Sequence, residues 1–357
     1  MTSGLEGIVA AETALSHVDG AAGRLVIRGR ALAELARACG FEGTTGLLWG
    51  VALSPEQTTR AAVTAALGVA RVQAWALVPR VLAASAGLAP VPALRVGLAM
   101  LPAPADSGAA AAAAIGAIPV LLAAILRGKS PVAPDPARTM AADFLRMLQG
   151  REPDPAYAAA LDTYLTVAAE HGLNASTFTA RVIASTNAGV VPAVVGALAA
   201  LEGPLHGGSL GPVLDMLDAI AASGNAAAWL AAKLAAGERL MGFGHRIYRT
   251  RDPRADVMKE AASRLGRDAG RIAFAENVES EARAALARHR PGRRLDTNLE
   301  FYSAILLEAI GLPRAAFTAI FAMGRASGWT AHVMEQEATG RLIRPDSRYV
   351  GPLPTAA

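Results

Sequence analysis

Four short stretches of this chain gather side chains that can move protons and hold anions. They are "EHGLNASTFTARV" from Glu170, "GPLHGGSLGP" around His206, "MGFGHRIYRTRDPRADV" over residues 241–257, and "LDTNLEFYSAILLEAIGL" around Glu300. In the third, an open glycine turn ends in His245, and Asp252-Pro253 is an N-cap and first-turn pair for a helix that Gly266 closes. Arg254 then lies in the first helical turn, adding a full charge to a helix end that already favours anions. That combination suits a carboxylate or a phosphate. In the second stretch, Gly207 and Gly208 let backbone approach a ligand, and His206 could donate to a carbonyl oxygen that turns negative during reaction.

The other two stretches have ordinary explanations close at hand. Asn174 and Ser176 are both good N-caps, which puts His171 in the loop just ahead of a helix start; taken alone it reads as a loop histidine. Thr297 to Glu300 fits the capping box Ser/Thr-x-x-Glu, and spacing alone favours that cap over a general base for Glu300. None of the six histidines stands in a ligand spacing such as H-E-x-x-H, so no metal is expected.

These residues must be carried by helices. Hydrophobic residues make up 53% of the 357 and aromatics only 5%, which points to close-packed Ala, Leu, Val and Ile. Three- and four-residue apolar spacing marks Arg95 to Met100, Met140 to Gln149, Ala159 to Glu170 and Trp229 to Leu240 as helical. Short β-like runs around "DGAAG" predict a small N-terminal hairpin before a helix begins near Ala31. Strands do not alternate with helices, which argues against a doubly wound sheet, and the fold class reads as mainly α. "GPLHGGSLGP" and "IGLPRAA" bracket a central section large enough to be an inserted domain.

Composition excludes several functions. A net charge of +4 over this length, with no basic run interleaved with aromatics, argues against nucleic-acid binding. Cys39 is the only cysteine, so no internal disulfide forms; with Glu6 and Glu12 in place of a basic-then-apolar leader, a cytoplasmic protein is expected. Ser107 to Leu126 is uncharged and long enough to span a bilayer, but its alanines, Gly116 and Pro119 suit a packed interior helix better, so no membrane association is expected.

Together and in this order, the four stretches resemble the citrate synthase family, including its 2-methylcitrate synthase members. "FAMGRASGWTAHVMEQ" and "RLIRPDSRYVGP" extend the likeness towards the C-terminus. The resemblance implies a citrate synthase-like two-domain helical homodimer. Its large, dimer-forming domain would comprise residues 1–208 and 313–357, and its small domain, 209–312, would close over substrate. It implies condensation of acetyl-CoA with oxaloacetate, or of propionyl-CoA in a 2-methylcitrate synthase, with CoA thioesters as co-substrates and no tightly bound cofactor.

By the same resemblance, His206 stabilises the enol of the thioester, His245 polarises the oxaloacetate carbonyl and Glu300 removes the methyl proton. His171, Arg254 and Arg325 bind oxaloacetate, and Arg344 reaches the partner's site across the dimer. Met241, Gly242, Phe243, Gly244 and Asn298 lie against CoA. The chain departs from the family where Asn-Val-Asp becomes Asn298-Leu299-Glu300, and where "GGAN" becomes "GGSL" at Gly207 to Leu210. The added methylene moves the carboxylate by roughly an ångström, a displacement that can cost about a hundredfold in rate. A catalytically weak relative that binds oxaloacetate or an acyl-CoA as a regulator is the reading Glu300 alone would support; the retained histidines and arginines argue against it.

Overall fold

The computed structural model describes Leu5 and residues 7–208, 210–266 and 269–352. Glu6, and Ser209 of "GGSL" with the domain boundary read there, lie outside these residues.

The chain enters through an antiparallel sheet of β1 (Ser16–Asp19), β2 (Arg24–Ile27) and β3 (Arg30–Ala31), with Ser16 opposite Ile27 and Asp19 opposite Arg24. Asp19 Oδ1 accepts from Ala22 N at 2.8 Å and closes the first turn. The expected hairpin thus has a short third strand, which runs directly into the first helix.

Helices follow almost without interruption. The first six are α1 (Leu32–Ala38), α2 (Gly40–Trp49), α3 (Arg60–Trp75), α4 (Val78–Ala84), α5 (Pro90–Ala99) and α6 (Ser107–Arg127). Next come α7 (Met140–Gln149), α8 (Pro155–Ala168), α9 (Ala175–Ala184), α10 (Val190–Leu201) and α11 (Leu210–Ser223). The last are α12 (Ala226–Ala235), α13 (Pro253–Ser263), α14 (Ala269–His289), α15 (Leu299–Ala309) and, after a 3-10 turn at Arg314–Ala316, α16 (Phe317–Thr339). Side-chain N-caps fix many of the starts: Thr59, Asp106, Asp154, Asn174, Asn225, Asp252 and Asn298 each accept from a backbone N–H of the first turn.

Two helices organise the core. α6 packs against α3, α5, α7, α10 and α16, and a Cβ on Gly116 would come within 2.7 Å of Ala70 Cβ, so the α3–α6 approach requires glycine there. α6 is apolar enough to cross a membrane, with mean hydropathy 2.4, but 78% of that window is buried inside the protein. α16 packs against α2, α8, α9 and α10. α11 to α15 pack largely on one another and reach the remainder through α13 on α1 and α8, through α15 on α8, and through α11 on α16 and the 3-10 turn before it.

Two helix ends differ from the periodicity. α8 stops at Ala168 rather than continuing through Glu170, and α12 stops at Ala235 rather than Leu240, just before Gly237 takes a φ of +75°. The first difference matters for function: it leaves Glu170 and His171 together in the α8–α9 loop.

Candidate active site

The N-terminus of α13 builds an anion-binding corner from one carboxylate and one guanidinium. Asp252 caps the helix by accepting from Arg254 N at 3.0 Å, and the same carboxylate takes Arg254 Nε at 3.0 Å and Nη2 at 2.8 Å. Its Oδ2 also accepts from Leu299 N at 3.1 Å, tying α13 to the start of α15. Both side chains are buried. Burial would push Asp252 up and Arg254 down, and their mutual attraction more than offsets it in each case, keeping both charged.

Arg325, on α16, provides a second buried cation. Its Nε donates to Ala168 O at 2.6 Å, satisfying the carbonyl end of α8, and its guanidinium lies 4.8 Å over the Phe321 ring. Among the described residues no carboxylate reaches ion-pair distance of it. Burial pulls it down to about 10, so it remains charged at neutral pH. A buried cation without a paired carboxylate is an anion site by its electrostatics.

Three histidines surround these cations, and all are held neutral. His171 sits well below the ordinary imidazole range because it is buried beside Arg254 and Arg325. Burial and Arg254 bring His245 down to about 4, and burial and Arg325 do the same for His206. His171 and His245 meet edge to face with ring centroids 5.3 Å apart, and Tyr248 Oη lies 3.1 Å from His171 Nε2.

Backbone geometry fixes the tautomer of His245. Its Nδ1 accepts from Ile247 N at 3.1 Å and Tyr248 N at 3.2 Å, so the proton of the neutral ring resides on Nε2. Arg254 Nη2 lies 3.3 Å from that nitrogen. Two donors that close converge on whatever acceptor lies between them.

His206 is aimed differently. Its Nε2 is 2.8 Å from Ser176 Oγ, which donates to Asn174 Oδ1 at 2.8 Å and accepts from Trp329 Nε1 at 3.1 Å. Asn174 caps α9, taking Thr177 N at 3.1 Å, and Ser176 links that cap to the histidine.

Glu300 does not form the capping box that its spacing suggests. Asn298 is the N-cap of α15 and accepts from Glu300 N at 3.2 Å, while Thr297 donates its hydroxyl proton to Glu279 Oε1 at 2.6 Å. The Glu300 carboxylate extends inward, and its buried Oε2 has no hydrogen-bond partner among the described residues. Burial raises it above the usual carboxylate range, with Arg254 and Arg325 opposing the rise. A desolvated carboxylate of this kind is a stronger base than one in water.

The glycine loop runs beside that helix start. Phe243 and Thr297 form an isolated antiparallel bridge, Gly244 N donates to Asp296 O at 2.8 Å, and Asn298 N donates to Gly242 O at 3.0 Å. Asn298 Nδ2 adds a bond to Gly244 O at 2.9 Å. Gly242 and Gly244 have φ of +83° and +80°, and a Cβ on Gly242 would come within 2.9 Å of the Phe301 side chain.

The chain therefore brings His171, His206, His245, Arg254, Arg325 and Glu300 into one electrostatic neighbourhood, with Met241 to Gly244 and Asn298 at its edge. Arg344 is not brought there: it is exposed in the segment after α16. Sequence reasoning missed Tyr248, whose signal was an aromatic three residues after His245, and Ser176 as a partner of His206, for which no local signal exists.

Comparison with known proteins follows the same lines. The family model "Citrate synthase, C-terminal domain" matches residues 4–346. Mycobacterial proteins named for citrate synthase, from Mycobacterium bovis and Mycobacterium tuberculosis, are 49% identical over 220 residues, a span of 62% of this chain and 58% of theirs. The citrate synthase of Acidithiobacillus ferridurans is 36% identical over 98% of this chain and 95% of its own length. A 2-methylcitrate synthase of Mycobacterium tuberculosis is 37% identical over 98% of this chain and 90% of its own. Among solved structures, citrate synthase from Thermotoga maritima superposes with a TM-score of 0.87 at 32% identity, covering 100% of this chain and 98% of that one. The Thermoplasma acidophilum citrate synthase, solved as a ternary complex, is 28% identical with a TM-score of 0.87, covering 99% of this chain and 97% of that one. The ligands in that complex are carboxymethyl coenzyme A and oxaloacetate.

Proposed function

Because the chain belongs to the citrate synthase family, we propose that it condenses acetyl-CoA with oxaloacetate and water to give citrate and CoA. The observation that carries this reading is Glu300: a half-buried side chain whose carboxylate keeps one buried, unpartnered oxygen, raised in basicity, in the field of two buried guanidinium groups. A thioester methyl is a very weak acid, so a carboxylate removes its proton only where the developing enolate is stabilised at once by a fixed donor.

Each residue then has a task. Glu300 takes the methyl proton while His206 donates to the thioester oxygen. For His206 to donate from Nδ1, Ser176 must turn its hydroxyl proton from Asn174 Oδ1 to Nε2, and Asn174 keeps Thr177 N as its own donor when it does. The enol carbon attacks the ketone of oxaloacetate, whose oxygen is polarised by His245 Nε2–H. The two carboxylates of oxaloacetate account for Arg254 and Arg325, with His171 as a further ligand. Water then adds to the citryl thioester carbonyl, the carbon–sulfur bond breaks, and CoA leaves with its thiol protonated.

The proposal extends to the assembly. Residues 209–312 would close over the substrates and exclude water, Met241 to Gly244 and Asn298 would line CoA, and Arg344 would complete the site of a partner in a cytoplasmic homodimer. Its exposure on the segment after α16 supports that last role. The same chemistry on propionyl-CoA is the alternative, supported by the 37% identity to a 2-methylcitrate synthase, and one methylene in an apolar pocket discriminates by only about 1–3 kcal/mol.

The test is release of CoA thiol by the purified protein with oxaloacetate, using acetyl-CoA and propionyl-CoA in parallel. Turnover is expected, and the ratio of the two kcat/KM values decides between the alternatives. Absence of turnover with either thioester, in a folded protein that still binds oxaloacetate, would overturn the catalytic role of Glu300.

A further inference from the structure

Behind His171 lies a buried polar chain with no part in the steps above. Arg181, on α9, places Nη1 at 3.0 Å from His332 Nδ1 and at 2.5 Å from Glu335 Oε2, and its Nε donates to Gln336 Oε1 at 3.0 Å. His332 Nε2 lies 3.2 Å from Glu170 Oε1, and His332, Glu170 and Arg181 are all buried. A guanidinium can only donate, so Nδ1 of His332 is the acceptor and the ring proton is on Nε2, pointed at Glu170.

Glu170 in turn grips the loop that carries His171. Its Oε1 accepts from Gly172 N at 2.5 Å and from Ser16 Oγ at 2.8 Å, so the carboxylate brackets His171 from both sides of its own peptide. The other oxygen has no hydrogen-bond partner among the described residues, and a Cβ on Gly328 would collide with it. Glu170 is also the carboxylate that acts most strongly on Arg325.

We propose that His332 is a positioning residue for the oxaloacetate end of the site: its Nε2–H holds Glu170 in place, and Glu170 both fixes the His171 loop and balances the charge of Arg325. This rests on the functional reading above. Burial alone would push Glu170 up, and His332 is the foremost group pulling it back below the usual carboxylate range. The placement predicts an effect confined to one substrate, because the chain touches the oxaloacetate ligands and not Glu300 or the glycine loop.

The experiment compares His332→Leu, His332→Gln and Glu170→Gln in the full-length protein, measuring KM for each substrate and oxaloacetate affinity by titration calorimetry. Losing a hydrogen bond to a buried charge should weaken oxaloacetate by about tenfold or more in His332→Leu, with KM for the thioester within about twofold of wild type. His332→Gln, which keeps a donor, should recover most of the loss. Wild-type oxaloacetate affinity in a folded His332→Leu, or equal damage from Leu and Gln, would overturn the proposal. If His332→Leu does not fold, Glu170→Gln must show the same oxaloacetate-specific loss, and an unchanged KM there overturns it instead. Wild type that binds oxaloacetate without turnover would count against the condensation, not against this role, since affinity is read separately.

Discussion

Arg254 Nη2 and His245 Nε2 face each other across 3.3 Å although both carry a proton. Two backbone N–H groups occupy the other ring nitrogen, and Asp252 holds the guanidinium, so neither donor can turn away without losing its own support. His245→Asn is therefore expected to lower kcat by roughly 10²–10³-fold, the range for removing one fixed donor to a developing oxyanion. Steady-state kinetics at saturating oxaloacetate check this, and a change confined to KM would show that His245 only binds.

Glu300 makes two opposite predictions. Glu300→Gln should abolish condensation, and Glu300→Asp should lower kcat by roughly a hundredfold if the site is built around the longer arm. An Asp variant as fast as wild type would show that the backbone places either carboxylate equally well.

Stability should move the other way. Because burial raises Glu300 above its unfolded value, the unfolded chain loses this proton first, and ionisation of the residue opposes folding as pH rises. Glu300→Gln imitates the protonated form and should melt at a higher temperature than wild type at neutral pH. A lower Tm would mean that Arg254 and Arg325 depend on this charge more than burial penalises it.

The histidines set the acid side. His206 and His245 have folded values of about 4 against an ordinary value of 6.5, so the unfolded chain takes up protons that the folded one refuses. Stability from these residues should be full above pH 6.5 and fall as pH drops towards 4. Urea unfolding across that interval should show a shallower pH slope for His206→Gln, by up to one proton.

Ser176→Ala tests the tautomer of His206 directly. Without the hydroxyl, nothing at Nε2 directs the ring proton to Nδ1, and kcat should fall by at least about tenfold while KM for oxaloacetate is unchanged. An unaltered kcat would show that His206 finds its tautomer elsewhere.

Gly242→Ala should damage the thioester side. The new Cβ meets Phe301 at 2.9 Å in a backbone conformation of φ +83°, and overpacking of this kind costs about 1–3 kcal/mol. A raised KM for acyl-CoA with oxaloacetate binding intact is expected, together with a lower Tm.

Much of the fold was legible because it is written locally. Asp252-Pro253, Asn174 and the apolar spacing of α7 announce their helices within a few residues, and the structure places them there. Local rules failed where a distant partner competes for the same side chain. Thr297 is drawn to Glu279 and Asn298 takes the cap, leaving the Glu300 carboxylate free, and Ser176 reaches beyond its own helix end to His206 and Trp329. The Thr297–Glu279, Ser176–His206 and Ser176–Trp329 pairings span sequence separations at which periodicity and capping patterns carry no information.

The carboxylate of Asp252 has a consequence for anyone wishing to redesign acyl preference. Its Oδ2 accepts from Arg254 Nη2 at 2.8 Å and from Leu299 N at 3.1 Å, so a single atom ties the guanidinium proposed to hold oxaloacetate to the helix bearing the proposed base. Shifting α15 to admit a longer acyl chain would drag Arg254, the proposed keto-acid ligand, with it. Changes in acyl selectivity are better sought in side chains along α15 than in displacement of its first turn.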